Sequence, residues 1–169
     1  REACPVEDWP GVEERDPRPL VDARIRRDDR VDMTAGPTAP EVMGTPEAVW
    51  ITAESLGDED PALAAHPGLP AVFVFDEALL ARLRLEPTRL VFLAEALADL
   101  AERRSVEVWR GDPVHVLAGR GVAATFAPVP GWRRRADEVA PVAVHPWPWL
   151  VAPHAGSLTS FTAWARSSS

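Results

Sequence analysis

The chain has 169 residues, 46% of them hydrophobic, and a formal net charge of −8. That size suits one domain with its own core, and the acidity excludes a general nucleic-acid binder, whose phosphate contacts need a basic surface. A single cysteine, Cys4, excludes an internal disulfide or a cysteine-based metal site, and no apolar run approaches the roughly 20 residues that span a bilayer, so a reducing cytoplasm is the expected setting.

Residues 1–42 are dense in Arg, Asp and Glu, dotted with Pro, and carry neither a period of two nor one of 3.6. They are expected to be a disordered or non-native tail, with Met43 a candidate translation start. From Ala48 the pattern changes. AVWIT (48–52), AVFVF (71–75), VEVW (106–109), VAATF (122–126) and VAVH (142–145) are short apolar, β-branched or aromatic runs and predict strands. Helices are predicted between them: PALAAH after Asp60, EALLARL after Asp76, Pro87 to Arg104, DPVHVLAG after Gly111, and RRRADEV before Ala140. Five strands alternating with helices predict a parallel α/β sheet in a domain over residues 43–166, with a disordered end at 167–169.

The helix from Pro87 carries the clearest periodicity. Leu90, Leu93, Ala94, Leu97 and Leu100 recur at spacings of three and four, while Glu95, Asp99, Glu102 and Arg103 fall off that stripe. Pro87 suits a first turn, and Arg103 and Arg104 suit the negative end of the helix dipole. The same reasoning gives DEDPAL (58–63) a capping role: Asp60 as N-cap, Pro61 as first helical residue, and Asp58 and Glu59 near the positive end.

Chemical motifs are sparse. His66, His115, His145 and His154 show no H-x-x-x-H or H-E-x-x-H spacing, so no metal site is expected. Neither Ser55 nor Ser157 lies in a G-x-S-x-G elbow. No Gly-rich phosphate loop follows the first strand, where Ala53-Glu54-Ser55-Leu56-Gly57-Asp58 would repel a phosphate. Arg133 to Arg135 read as a solvated helix face paired with Asp137 and Glu138. Trp147 and Trp149 in HPWPWLVAPH serve either as cover for a sheet end or as an aromatic binding platform.

Several motifs in order resemble the DNA photolyase and cryptochrome family. WITAESLGDEDPAL (50–63) is similar to its W-x-R-x-D-L-R-x-x-D-N-P-A-L, and VFVFD (72–76) to its second strand. RLRLEPTRLVFLAEALADL (82–100) resembles its R-x-x-F-L-x-E-S-L-x-D-L helix, VEVWRGDPVHVL (106–117) its strand and G-D-P turn, and SFTAWARS (160–167) its closing F-T-P-F. The resemblance implies a Rossmann-like three-layer domain with a five-stranded parallel sheet of order 3-2-1-4-5. It implies a flavin or deazaflavin antenna, while FAD and DNA belong to a helical domain encoded elsewhere. This chain alone is then not an active deoxyribodipyrimidine photo-lyase and does not contact DNA directly; its role is auxiliary to DNA repair or light response.

The family arginines after the first strand are replaced by Thr52 and Leu56, and its Asp-Asn pair by Glu59-Asp60. A guanidinium fork is thereby lost. Ala127 to Trp132 lack the carboxylate or amide that the family sets beside its antenna, which disfavours folate. The implied ligand rim is Thr52 and Glu54 after the first strand, Phe75 and Asp76 after the second, and Phe126 and Trp132 around the fourth. Two alternatives stand beside this reading: a non-catalytic interaction module or truncated remnant, and a small nucleotide-binding protein, the latter disfavoured by the missing Gly-rich loop.

Overall fold

A computed structural model describes residues 35–83 and 85–151. Six strands, β1 (Glu41–Val42), β2 (Ala48–Ile51), β3 (Ala71–Asp76), β4 (Val106–Gly111), β5 (Val122–Thr125) and β6 (Ala143–His145), form one sheet of order β1-β6-β5-β2-β3-β4. The last five are mutually parallel, and β1 pairs antiparallel with β6. The all-parallel, five-stranded sheet expected from the sequence is corrected to a mixed, six-stranded one. Its parallel part runs β4-β3-β2-β5-β6, and the added strand covers the free backbone edge of β6, which is otherwise a liability.

That strand also moves the ordered boundary. Glu41–Val42 lie inside the segment expected to be a tail, and Ala35 is buried. The left-handed Gly36 lies so close to Phe126 that a Cβ there would overlap its ring. Trp149 donates its indole N–H to the Ala35 carbonyl at 3.1 Å, and Trp147 packs against the core, so these tryptophans cover a sheet end. Residues 1–34 and 152–169, with Cys4, His154, Ser157 and the SFTAWARS segment, lie outside the described residues.

Among the described residues, five helices connect the strands: α1 (Pro61–Ala65), α2 (Glu77–Leu83), α3 (Pro87–Ala101), α4 (Pro113–Val116) and α5 (Trp132–Val139). Alternating side chains of β2 and β3 build a separate core on each face. On one face Val49, Ile51 and Phe73 meet Ala62 and Leu63 of α1 and Leu97 and Leu100 of α3. On the other, Trp50, Val72 and Val74 share a cluster with Trp132 and Ala136 of α5. This is why β2 and β5 are buried throughout and read as unbroken apolar runs. Along α3 the buried residues are Leu93, Leu97 and Leu100, whereas Ala94 of the predicted stripe is exposed. At its end Arg103 pairs with Asp99 and Asp58, fastening α3 to the loop before α1.

At the opposite edge, β4 hydrogen-bonds among the described residues on one side only, to β3. Val108 and Trp109 there are each 51% exposed. No helix among the described residues is long and apolar enough to cross a membrane.

Candidate functional site at the carboxyl ends of the strands

In doubly wound sheets the strand carboxyl ends are the usual ligand position. Here they carry two polar groupings. The first is a pocket of about 310 Å³ lined by Asp76, Glu77, Ala78, Gly111, Asp112, Arg135 and Glu138. The register creates it: Asp76 and Gly111 are paired ends of neighbouring strands, which brings the start of α2 beside the Asp112 turn. Asp76, nearly buried, accepts the Leu79 N–H at 3.0 Å and so caps α2, while its second oxygen receives Arg135 from α5. Asp112 likewise accepts the Val114 N–H at 3.0 Å at the head of α4. Arg110 pairs with Glu77 at the rim, and Arg135 lies 3.7 Å from Glu138. Carboxylates outnumber the guanidinium in the lining, so the pocket suits hydrogen-bond donors or cations better than phosphate.

The second grouping sits on the other face, above the ends of β5 and β6. The Thr125 hydroxyl accepts the Ala62 N–H at 3.0 Å and donates to Asp60, while Asp60 accepts the Leu63 N–H at 3.0 Å. Asp60 is therefore the N-cap that the sequence predicts, in a setting far drier than an ordinary cap. His145, also buried, turns its Nε2 to the Nε2 of His66 at 3.1 Å, with the ring planes 82° apart.

Both buried titratable groups are held toward their neutral forms. Desolvation raises the Asp60 carboxyl above its usual value, against the lowering effect of Thr125 and the backbone amides. Desolvation, then the neighbouring His66, lowers His145, with Asp60 opposing. A folded-state carboxyl with a raised pKa binds its proton more tightly than the unfolded chain does. Its contribution to stability therefore declines as pH rises from below the unfolded value of 3.8 through the folded value. Asp60→Asn, which keeps an acceptor for the Leu63 amide, is expected to flatten this part of the stability curve and to change the melting temperature little at pH 7. Thermal melts between pH 4 and pH 7 measure it; an unchanged slope contradicts the assignment.

The six residues of the implied ligand rim separate. The Thr52 hydroxyl donates to Glu54 at 2.7 Å in an exposed turn. Phe75 packs edge-on to Phe73 toward the α1 and α3 face. Phe126 and Trp132, with ring centres 5.0 Å apart, are core residues of the α5 face and not an open rim. Only Asp76 lines the pocket. Glu77 and Asp112 are not singled out by the sequence reading, and Arg135 and Glu138 enter it only as a solvated helix face, although the Gly111-Asp112-Pro113 turn next to the strand ending at Asp76 is a usable signal. The Arg run is a solvated face in part: Arg133 stacks over Phe126 at 5.0 Å, and Arg135 enters the pocket. Among the described residues no group of three or more His, Cys, Asp or Glu is arranged around a common metal position.

Comparison of the chain with protein-family models, with curated proteins and with solved structures finds no match. The geometry above is thus the ground on which a function is argued.

Proposed function

We propose that this chain is a photolyase-related α/β domain that binds a flavin-type chromophore and has no catalytic activity of its own. The observation that carries the reading is the order β4-β3-β2-β5-β6 combined with the Asp60-Pro61-Ala62-Leu63 turn that caps the first helix after β2. Both belong to the pattern of strands and turns for which the sequence resembles that family.

The ligand docks at the pocket between the ends of β3 and β4. Its volume of about 310 Å³ is at the small end of the roughly 300–1,000 Å³ of ligand sites, enough for one ring edge and its polar substituents. Asp76, Glu77, Asp112 and Glu138 accept from ring N–H and hydroxyl groups, and Arg135 donates to a ring carbonyl. The same acidity disfavours a phosphorylated ligand, so a riboflavin or deazaflavin nucleus binds better than FMN or FAD. The chemistry of repair belongs to a separately encoded FAD-binding helical partner, and this chain, in the cytoplasm, contributes excitation or docking to it without touching DNA.

The reading is tested by absorbance of the purified protein and by fluorescence titration with riboflavin, a deazaflavin and FMN. Saturable uptake of the uncharged nucleus, weakened about tenfold by Ala78→Trp, which fills the pocket from the exposed α2, is the expected result. A colourless protein that takes up none of the three removes it.

One observation favours the alternative of a non-catalytic interaction module: the edge of β4, unpaired among the described residues, with Val108 and Trp109 exposed. The Trp147–Trp149 segment does not favour it, because both indoles are engaged in covering the sheet end.

A further inference from the structure

The pair formed by His66 and His145 has no part in the flavin reading. We infer that the two imidazoles form a binding site for one divalent ion of the zinc class, shared between the C-terminal cap of α1 and the end of β6.

The residues are 79 positions apart, yet the fold turns both Nε2 atoms to each other at 3.1 Å. With metal–nitrogen bonds of about 2.0–2.1 Å, two nitrogens on one ion lie about 2.9 Å apart at a right angle and about 3.4 Å apart at a tetrahedral angle. The observed separation falls between these values. Two imidazoles on a tetrahedral ion also hold their ring centres about 5.2 Å apart by the same bond lengths, and here the centres are 5.2 Å apart.

Without an ion the neutral pair shares one proton, donated by one Nε2 to the other. When an ion enters, the donating imidazole shifts that proton to its own Nδ1, and both Nε2 lone pairs face the metal; no proton is lost overall. His145 is buried at the end of β6, and an imidazole ligates in its neutral form. His66 is only half-buried, and water would complete the remaining coordination positions. Imidazole ligands select zinc-like ions over magnesium or calcium, which prefer oxygen.

The test uses the full chain, stripped with a chelator and titrated with ZnCl2 by calorimetry and by thermal melting. Wild type and His115→Ala, whose side chain is exposed on α4, are expected to bind one Zn2+ with equal affinity and to melt at a higher temperature with Zn2+ than without. His66→Ala weakens binding at least tenfold and loses the melting shift, and MgCl2 moves none of the proteins. Because His66 lies partly in solvent, its variant tests the site even where His145→Ala fails to fold. A wild-type melt that Zn2+ leaves unmoved overturns the inference, as does a His66→Ala variant that binds Zn2+ as tightly as wild type. Since Asp76 and its pocket lie on the other face of the sheet, flavin uptake and Zn2+ binding succeed or fail separately.

Discussion

Phe126→Ala is expected to destabilise the domain by about 3–5 kcal/mol, the usual range for truncating a buried phenylalanine. Phe126 is 1% exposed and its ring is held on three sides, by Trp132 edge-on, by the Arg133 guanidinium above it and by Gly36. Removing the ring opens a cavity that its neighbours close only in part. It also takes away the cation–π contact, worth about 0.5–1 kcal/mol near the surface. The backbone bond from the Phe126 N–H to the His145 carbonyl, 2.8 Å long, survives the change, so the sheet itself is preserved. Denaturant unfolding with an unchanged slope and a lowered midpoint is the expected observation. Phe126→Leu should recover more than half of the loss, and a Phe126→Ala variant as stable as wild type would show that the two sides of this core do not meet at the ring.

Arg135→Ala is expected to cost about 2–4 kcal/mol, somewhat below the roughly 3–5 kcal/mol of a fully buried ion pair because the arginine is partly solvated. The Asp76 side chain is only 9% exposed and Arg135 28% exposed. Deleting the guanidinium leaves the carboxylate with the Leu79 amide, in a pocket already rich in negative charge. Asp76→Asn should cost less, because an amide oxygen still caps α2. The double variant Asp76→Asn/Arg135→Met is expected to recover most of the single-variant loss, since no uncompensated charge then remains. A double variant that loses the sum of the two single effects would show that the groups act independently.

How much of this was legible in the sequence follows from the range over which each signal acts. The strands at Ala48, Ala71 and Val122 are unbroken apolar runs because both faces of the sheet are covered, and that is visible within a few residues. Pro87, the spacing of Leu93, Leu97 and Leu100, and the Asp60-Pro61 start are equally local. β1 is different. Glu41 and Val42 are exposed and have no period, and they become a strand only because β6 offers an unpaired edge. The pocket has the same property: Asp76 and Arg135 are 59 residues apart, and no spacing rule relates the end of a strand to the middle of a helix six elements later. Phe126 and Trp132 follow a strand end, the position at which a ligand rim is expected. Side-chain direction decides otherwise, since the chain returns through Gly131 and folds both rings inward.

Helix α2 forms one wall of the pocket, through Glu77 and Ala78, yet it contains no buried residue. Its attachments are the Asp76 cap at its first turn and the surface pair between Glu77 and Arg110. Displacing it uncovers the half-buried Leu79 and Leu80 but no fully buried residue, so its local opening free energy lies below that of the sheet it leans on. The cavity volume is therefore a property of one closed arrangement, not a limit on guest size: a ligand larger than 310 Å³ is admitted at the expense of one cap and one surface ion pair, with both cores left intact.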